Sequence, residues 1–120
     1  MLVQRCLWRF LVSKHVVVYG RTSFCPDLAR SQRFLAANNV AYTQINIDQD
    51  AEAGALVEGW VGHRSVPTIV IAEAGSNLPF EEPAPLPAGR QARSYDRGTV
   101  ITEPSDEALT GFLKRNGLLS

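Results

Sequence analysis

Cys25 stands in the run Phe24-Cys25-Pro26-Asp27-Leu28, at a break between two patterns. The residues before it, Val16-Val17-Val18-Tyr19, are apolar and largely β-branched and predict a buried strand. The residues after it, Pro26 to about Asn38, have helical spacing, and proline suits the first helical position, where no backbone donor is lost. A cysteine so placed faces the unpaired N–H groups and the positive dipole end of the helix, and both favour thiolate over thiol. Thiolate is the nucleophile of sulfur exchange, so the position suits redox chemistry. The other reading is a small packed cysteine that happens to precede a helix.

A second candidate position is Arg64-Ser65-Val66-Pro67-Thr68. Pro67 directly precedes an almost wholly apolar run, Thr68–Ala72, that predicts a central strand. Proline is allowed at the first residue of a strand, because its missing N–H breaks no ladder there.

The elements that must hold these two positions are legible. A first strand is expected at His15–Tyr19, followed by a polar loop through Arg21, Thr22 and Ser23. Leu28 and Leu35 supply the buried stripe of the first helix, with Arg30 and Arg33 toward solvent. Asn38-Asn39 ends it, since Asn tolerates the left-handed conformation. Alternation then places Thr43, Ile45 and Ile47 on one face of a second strand and Tyr42, Gln44 and Asn46 on the other. Asp48 or Asp50 caps a short helix from about Ala51 to Gly59, and Gly59 and Gly62 bracket a loop containing Trp60. After the central strand, Glu73–Arg97 carries Pro79, Pro83, Pro85 and Pro87 with two glycines, which precludes a regular element. A stretch that long without structure is usually functional or mobile. A strand at Thr99–Thr102 follows. A last helix is capped by Ser105, led by Asp106 and Glu107, buried through Leu109, Phe112 and Leu113, and ended at Gly117.

The chain has 120 residues, enough for one domain, and 45 % of them are hydrophobic. Lys and Arg number 12 and Asp and Glu 12, so nothing draws the protein to nucleic acid or anionic lipid. Two cysteines make no disulfide scaffold, and a reducing cytoplasm is the expected compartment. In residues 1–14 Arg5, Arg9 and Lys14 interrupt the apolar residues, so neither a signal peptide nor a membrane span is expected. The segment reads as an N-terminal extension packed beside a domain at 15–120. His15 and His63 have no metal-ligand spacing, and no metal site is expected.

Taken together, Val-Val-Val-Tyr, Cys25-Pro26, Ile45-Asn46-Ile47-Asp48, Arg64-Ser65-Val66-Pro67-Thr68 and Glu103-Pro104-Ser105 resemble a glutaredoxin, most closely the bacterial glutaredoxin-like or mycoredoxin-like proteins. The resemblance covers about His15–Ala72 and Thr99–Asn116. It implies an α/β thioredoxin-like fold, with a mixed four-stranded sheet flanked by helices and a long loop insert at 73–97. It also implies a cis peptide before Pro67, Pro67 set against Cys25, and the Val66 backbone free to pair with a bound thiol peptide.

The chain departs from the family at three places. Leu28 stands where a dithiol motif has its second cysteine, so release of a mixed disulfide needs an outside thiol such as glutathione or mycothiol, or resolution by Cys6. Asp27 opposes a neighbouring thiolate, with Arg21 or Arg64 available to offset it. The Gly-Gly turn that receives glutathione in the family is replaced by Glu103-Pro104, leaving Ser105 and Asp106 to meet a thiol partner or simply to cap a helix. Arg64 either pairs with a substrate carboxylate or is a solvated loop residue. Cys-Pro-Asp-Leu also lacks the Cys-Gly-Phe-Ser pattern of cluster-carrying monothiol members, so no tightly bound cofactor is expected. The leading expectation is a monomeric monothiol thiol–disulfide oxidoreductase acting through Cys25 on small-thiol and protein mixed disulfides. The competing one is a redoxin-fold binding or scaffold protein in which catalysis has lapsed.

Overall fold

The computed structural model describes residues 13–119. Its elements are β1 (Lys14–Gly20), α1 (Pro26–Ala37), β2 (Tyr42–Asn46), α2 (Ala51–Val61), β3 (Thr68–Glu73), β4 (Val100–Thr102) and α3 (Asp106–Arg115). The strands form one sheet in the order β2-β1-β3-β4, with β1 and β2 parallel and the other pairs antiparallel. This is the mixed four-stranded sheet flanked by helices that the resemblance implied.

The two-residue period of the strands builds two cores from one sheet. Val16, Val18, Ile69, Ile71 and Ile101 point to one face and pack against Leu28 and Leu35 of α1 and Leu109, Phe112 and Leu113 of α3. Val17, Tyr19, Val70, Ala72 and Val100 point to the other and meet Ala53, Val57 and Val61 of α2. The central strands β1 and β3 are buried on both faces, which is why their sequences read as continuous apolar runs rather than as alternation.

Four expectations need revision. First, α2 does not stop at Gly59. It runs to Val61 and ends at Gly62, whose φ of 97° supplies the left-handed C-cap. Trp60 is therefore helical and packs edge-to-face on Tyr19, with ring centroids 5.4 Å apart. Burial of Val57, Trp60 and Val61 outweighs the roughly 1 kcal/mol that glycine costs a helix interior. Second, Thr43 is exposed, while Ile45 and Ile47 do share a face on the α2 core. Third, Arg30 is not simply a solvent-facing residue. It donates to the carbonyl of Pro104 at 3.0 Å and pairs with Asp27 at 2.9 Å.

The fourth revision concerns residues 74–99. They form no helix or named strand, as the prolines predict, but they are bonded to the sheet near both ends and to one another between. Phe80 N–H donates to Ile71, Thr99 Oγ1 to Glu81 and Ser94 N–H to Thr102, while Arg93 makes an isolated parallel bridge to Thr102. Ala92 is buried in the α2-side core, with Leu86 packed against it. Arg97 is only 8 % exposed, and its guanidinium donates to the carbonyls of Ala84 and Trp60. Burial lowers its pKa.

Candidate functional site

Cys25 occupies the N-cap of α1 in an extended conformation, with Pro26 directly behind it. Its carbonyl accepts the Ala29 N–H at 3.0 Å, which opens the helix. The side chain makes no capping bond, and the half-buried thiol is left free of the helix start. Sγ lies 3.8 Å from the carbonyl oxygen of Val66. The Val66-Pro67 peptide is cis, as the resemblance implied. Among the described residues the Val66 N–H has no hydrogen-bond partner. The structure thus brings Cys25, Pro26, Val66 and Pro67 together from two loops that 41 residues separate.

The loop before the thiol is held from the β2 side. Thr22 N–H donates to Asp48, the Asn46 amide donates to Thr22 Oγ1, and Ile47 N–H donates to Gly20. A hollow of about 260 Å³ opens beside the thiol, lined by Arg21, Phe24, Cys25, Ala29, Gln32 and Gln44 among others. Phe24 is 83 % exposed at its rim. Leu28 turns inward at 5 % exposure and joins the α1–α3 core. It also explains Gly20, because a Cβ there would lie 2.9 Å from Leu28 Cδ2. The position that holds a second cysteine in a dithiol motif is therefore filled with packing.

On the other side of the Val66 turn lies a larger cleft of about 410 Å³. His63, Ser65, Arg90, Arg93, Thr102 and Glu103 are among the residues that line it. Arg93 also joins a cluster of charges. Its two η-nitrogens both meet the Asp27 carboxylate at 3.0 Å, and Nη1 also meets Glu103 Oε2 at 3.1 Å. This bidentate pairing holds the Asp27 carboxyl below its ordinary value, with Arg30 adding to the effect. Glu103 itself has φ of 46°, a left-handed conformation that favours glycine, and its N–H donates to Pro67.

The remaining sequence candidates separate. Arg21 lines the hollow beside Cys25. Arg64 lies back over α2 against Gly54 and pairs with Glu58 at 3.3 Å, so neither it nor Arg21 is what neutralises Asp27. Ser105 Oγ accepts the Ala108 N–H and caps α3, and Asp106 is exposed in the first turn. Cys6 lies outside the described residues. Sequence reasoning missed Arg93 and the side chain of Glu103. Arg93 sits in a stretch without periodicity, so no local signal pointed to Asp27.

Residues 16–74 match the glutaredoxin family model. The chain is also similar to a relative described as Glutaredoxin-C4, chloroplastic, from Oryza sativa subsp. japonica, at 33 % identity over 64 residues. That alignment covers 51 % of this chain and 47 % of the relative, so the chain spans about half the length of the curated relative it matches. Both findings support the glutaredoxin/thioredoxin superfamily, and with the sheet order they support the thioredoxin-like fold. The matched family segment contains Cys25 and Val66-Pro67 but not Arg93, Glu103 or α3. Among the described residues, no helix is long and apolar enough to cross a membrane.

Proposed function

We propose that the protein is a thiol–disulfide oxidoreductase of monothiol type, with Cys25 as nucleophile. The carrying observation is the free thiol at the N-cap of α1, 3.8 Å from the Val66 carbonyl, beside a turn whose Val66 amide is unpaired among the described residues. A disulfide partner laid along Val66 gains backbone pairing as an added strand does, which aligns its sulfur with Sγ. The Cys25 thiolate attacks the small-thiol sulfur of a mixed disulfide, the S–S bond breaks, and the thiolate of the other partner leaves, so that Cys25 carries the small thiol. A second small thiol, as thiolate, then attacks the Cys25 mixed disulfide. It leaves as the symmetric small disulfide and regenerates the Cys25 thiolate. Leu28 has no sulfur, so the second step needs that external thiol.

Glutathione or a mycothiol-like thiol is the proposed co-substrate. Arg21 beside the hollow and Asp106 at the start of α3 are the groups proposed to meet its charged ends. The test is reduction of a glutathione mixed disulfide and of a mycothiol mixed disulfide, each with its matching thiol in excess. Turnover of one of them that disappears in Cys25→Ser supports the assignment. No turnover of either, with the wild-type fold intact, sinks it in favour of a binding role.

A further inference from the structure

We propose that Arg93 is a positioning residue for the Cys25 thiolate. By neutralising Asp27, it makes docking of the 74–99 segment a condition of full thiol reactivity. This deepens the thiol-exchange reading and rests on it for its biological meaning, but its test does not.

The start of α1 holds a conflict. Asp27 stands two residues beyond the thiol in the first turn, where a carboxylate suits the helix dipole but repels a thiolate. The geometry resolves the conflict from outside the helix. Arg93 grips both carboxylate oxygens at 3.0 Å with a planar guanidinium fork, the strongest form of a surface pair. Its Nη1 also meets Glu103 at 3.1 Å, and Arg30 meets Asp27 from the same helix at 2.9 Å. Two cations and two carboxylates thus balance around the start of α1. Arg93 is placed there by backbone as well as side chain, through its bridge to Thr102 and the neighbouring Ser94 N–H to Thr102 bond at 2.8 Å. Buried Ala92 anchors the same strip. If the strip lifts, Arg93 leaves and Asp27 keeps only Arg30.

Other titratable and charged side chains belong to the segments that build the site. Arg21 comes from the preceding loop, with Asp48 bonded to that loop, and Asp27 and Arg30 come from α1. His63 comes from the loop before Pro67, with its Nδ1 bonded to Ser65, and Arg64 is turned to Glu58. Arg90 lies over Tyr95 in the segment itself, and Glu103 and Asp106 belong to the turn before α3 and its first residue. Among the described residues Asp27 pairs with Arg30 and Arg93, and of the two only Arg93 belongs to a separate segment.

The experiment measures the rate of iodoacetamide alkylation at Cys25 from pH 5 to 10, read by peptide mass spectrometry on the full chain. Variants are Arg93→Ala, Asp27→Asn, and the two combined. The expected result is a fall of about threefold at neutral pH in Arg93→Ala, the size of one unshielded partly solvated charge, with the midpoint moved to higher pH. Adding Asp27→Asn to Arg93→Ala restores the wild-type profile, because the charge that Arg93 masks is gone. A purely structural role for Arg93 gives no such rescue. An Arg93→Ala profile superimposed on wild type overturns the proposal, as does a slowed rate that Asp27→Asn leaves slow. If Arg93→Ala loosens the segment, Arg93→Gln keeps the amide donors without the charge and must show the same displacement and rescue. Alkylation needs no turnover. Failure here leaves the oxidoreductase reading intact, and absence of exchange activity leaves this coupling measurable.

Discussion

Cys25 Sγ and the Val66 carbonyl oxygen lie 3.8 Å apart, joined by no local sequence and brought together by the β1–β3 pairing. The antiparallel register sets Tyr19 opposite Thr68, so the loops leaving those two strand ends must meet. The positions of Cys25 and the Val66 turn are therefore fixed by the two central strands of the sheet.

The first expectation concerns the nucleophile. Cys25→Ser removes the only sulfur in the Cys-Pro-Asp-Leu run. Exchange with a small-thiol mixed disulfide should fall to the uncatalysed rate, with circular dichroism and thermal midpoint near wild type. Cys6→Ser should retain most of the activity if an external thiol performs the second step. Loss of turnover in Cys6→Ser would instead make Cys6 the resolving residue.

Gly20 and Leu28 form a packing pair. Gly20→Ala places a methyl 2.9 Å from Leu28 Cδ2 and 3.1 Å from Cδ1, so the leucine must shift. The expected cost is about 1–3 kcal/mol, the usual range for overpacking a core. Leu28→Ala alone should cost about 2–5 kcal/mol through the cavity it leaves. Combined, the two should cost less than their sum, because the added methyl moves into vacated space. Urea unfolding of the four proteins measures the coupling, and strict additivity would argue against the contact.

Arg97 holds the end of α2. Its Nε donates to Ala84 at 2.8 Å and its guanidinium also bonds the Trp60 carbonyl, one of the last carbonyls of the helix. Arg97→Ala leaves both acceptors without that partner and should destabilise the fold by about 1–3 kcal/mol. Arg97→Lys, which offers donors without the fork, should recover only part. Equal stability of Arg97→Ala and wild type in urea would show that the segment does not depend on this residue.

Tyr19 sets an alkaline limit. Burial, and secondarily the charge of Asp50, push its pKa from 10.0 to about 12, and its hydroxyl donates to the Asn77 carbonyl. The folded protein thus keeps the proton over a range in which the unfolded chain releases it. The associated stability is complete below pH 10 and is lost as pH rises toward 12. Tyr19→Phe should cost about 1 kcal/mol at neutral pH for the lost bond, and its stability should not show the tyrosine-linked fall above pH 10. Thermal midpoints from pH 8 to 11.5 read the difference. Parallel slopes for the two proteins would exclude Tyr19 as the linked group.

Most of the elements were legible in the sequence. Periods of two and of 3.6 residues are local, so β1, α1, β3 and α3 were readable from hydrophobic spacing, Pro26, Ser105 and Gly117. The placement of Cys25 at a helix start followed from the same local signals. Propensity failed at Gly59, where tertiary burial of Trp60 and Val61 carried α2 onward. What surrounds the thiol follows from long-range contacts. Long side chains of the aperiodic segment, Arg93 and Arg97, find carboxylates and carbonyls that are distant in sequence, and no spacing rule encodes such a choice of partner. That is why Asp27 is balanced by Arg93 rather than by Arg21 or Arg64, and why Leu28 belongs to the core. Local pattern specifies the backbone because each residue meets its own neighbours first. The electrostatics of the site depend on which distant charges the folded sheet brings within a few ångströms.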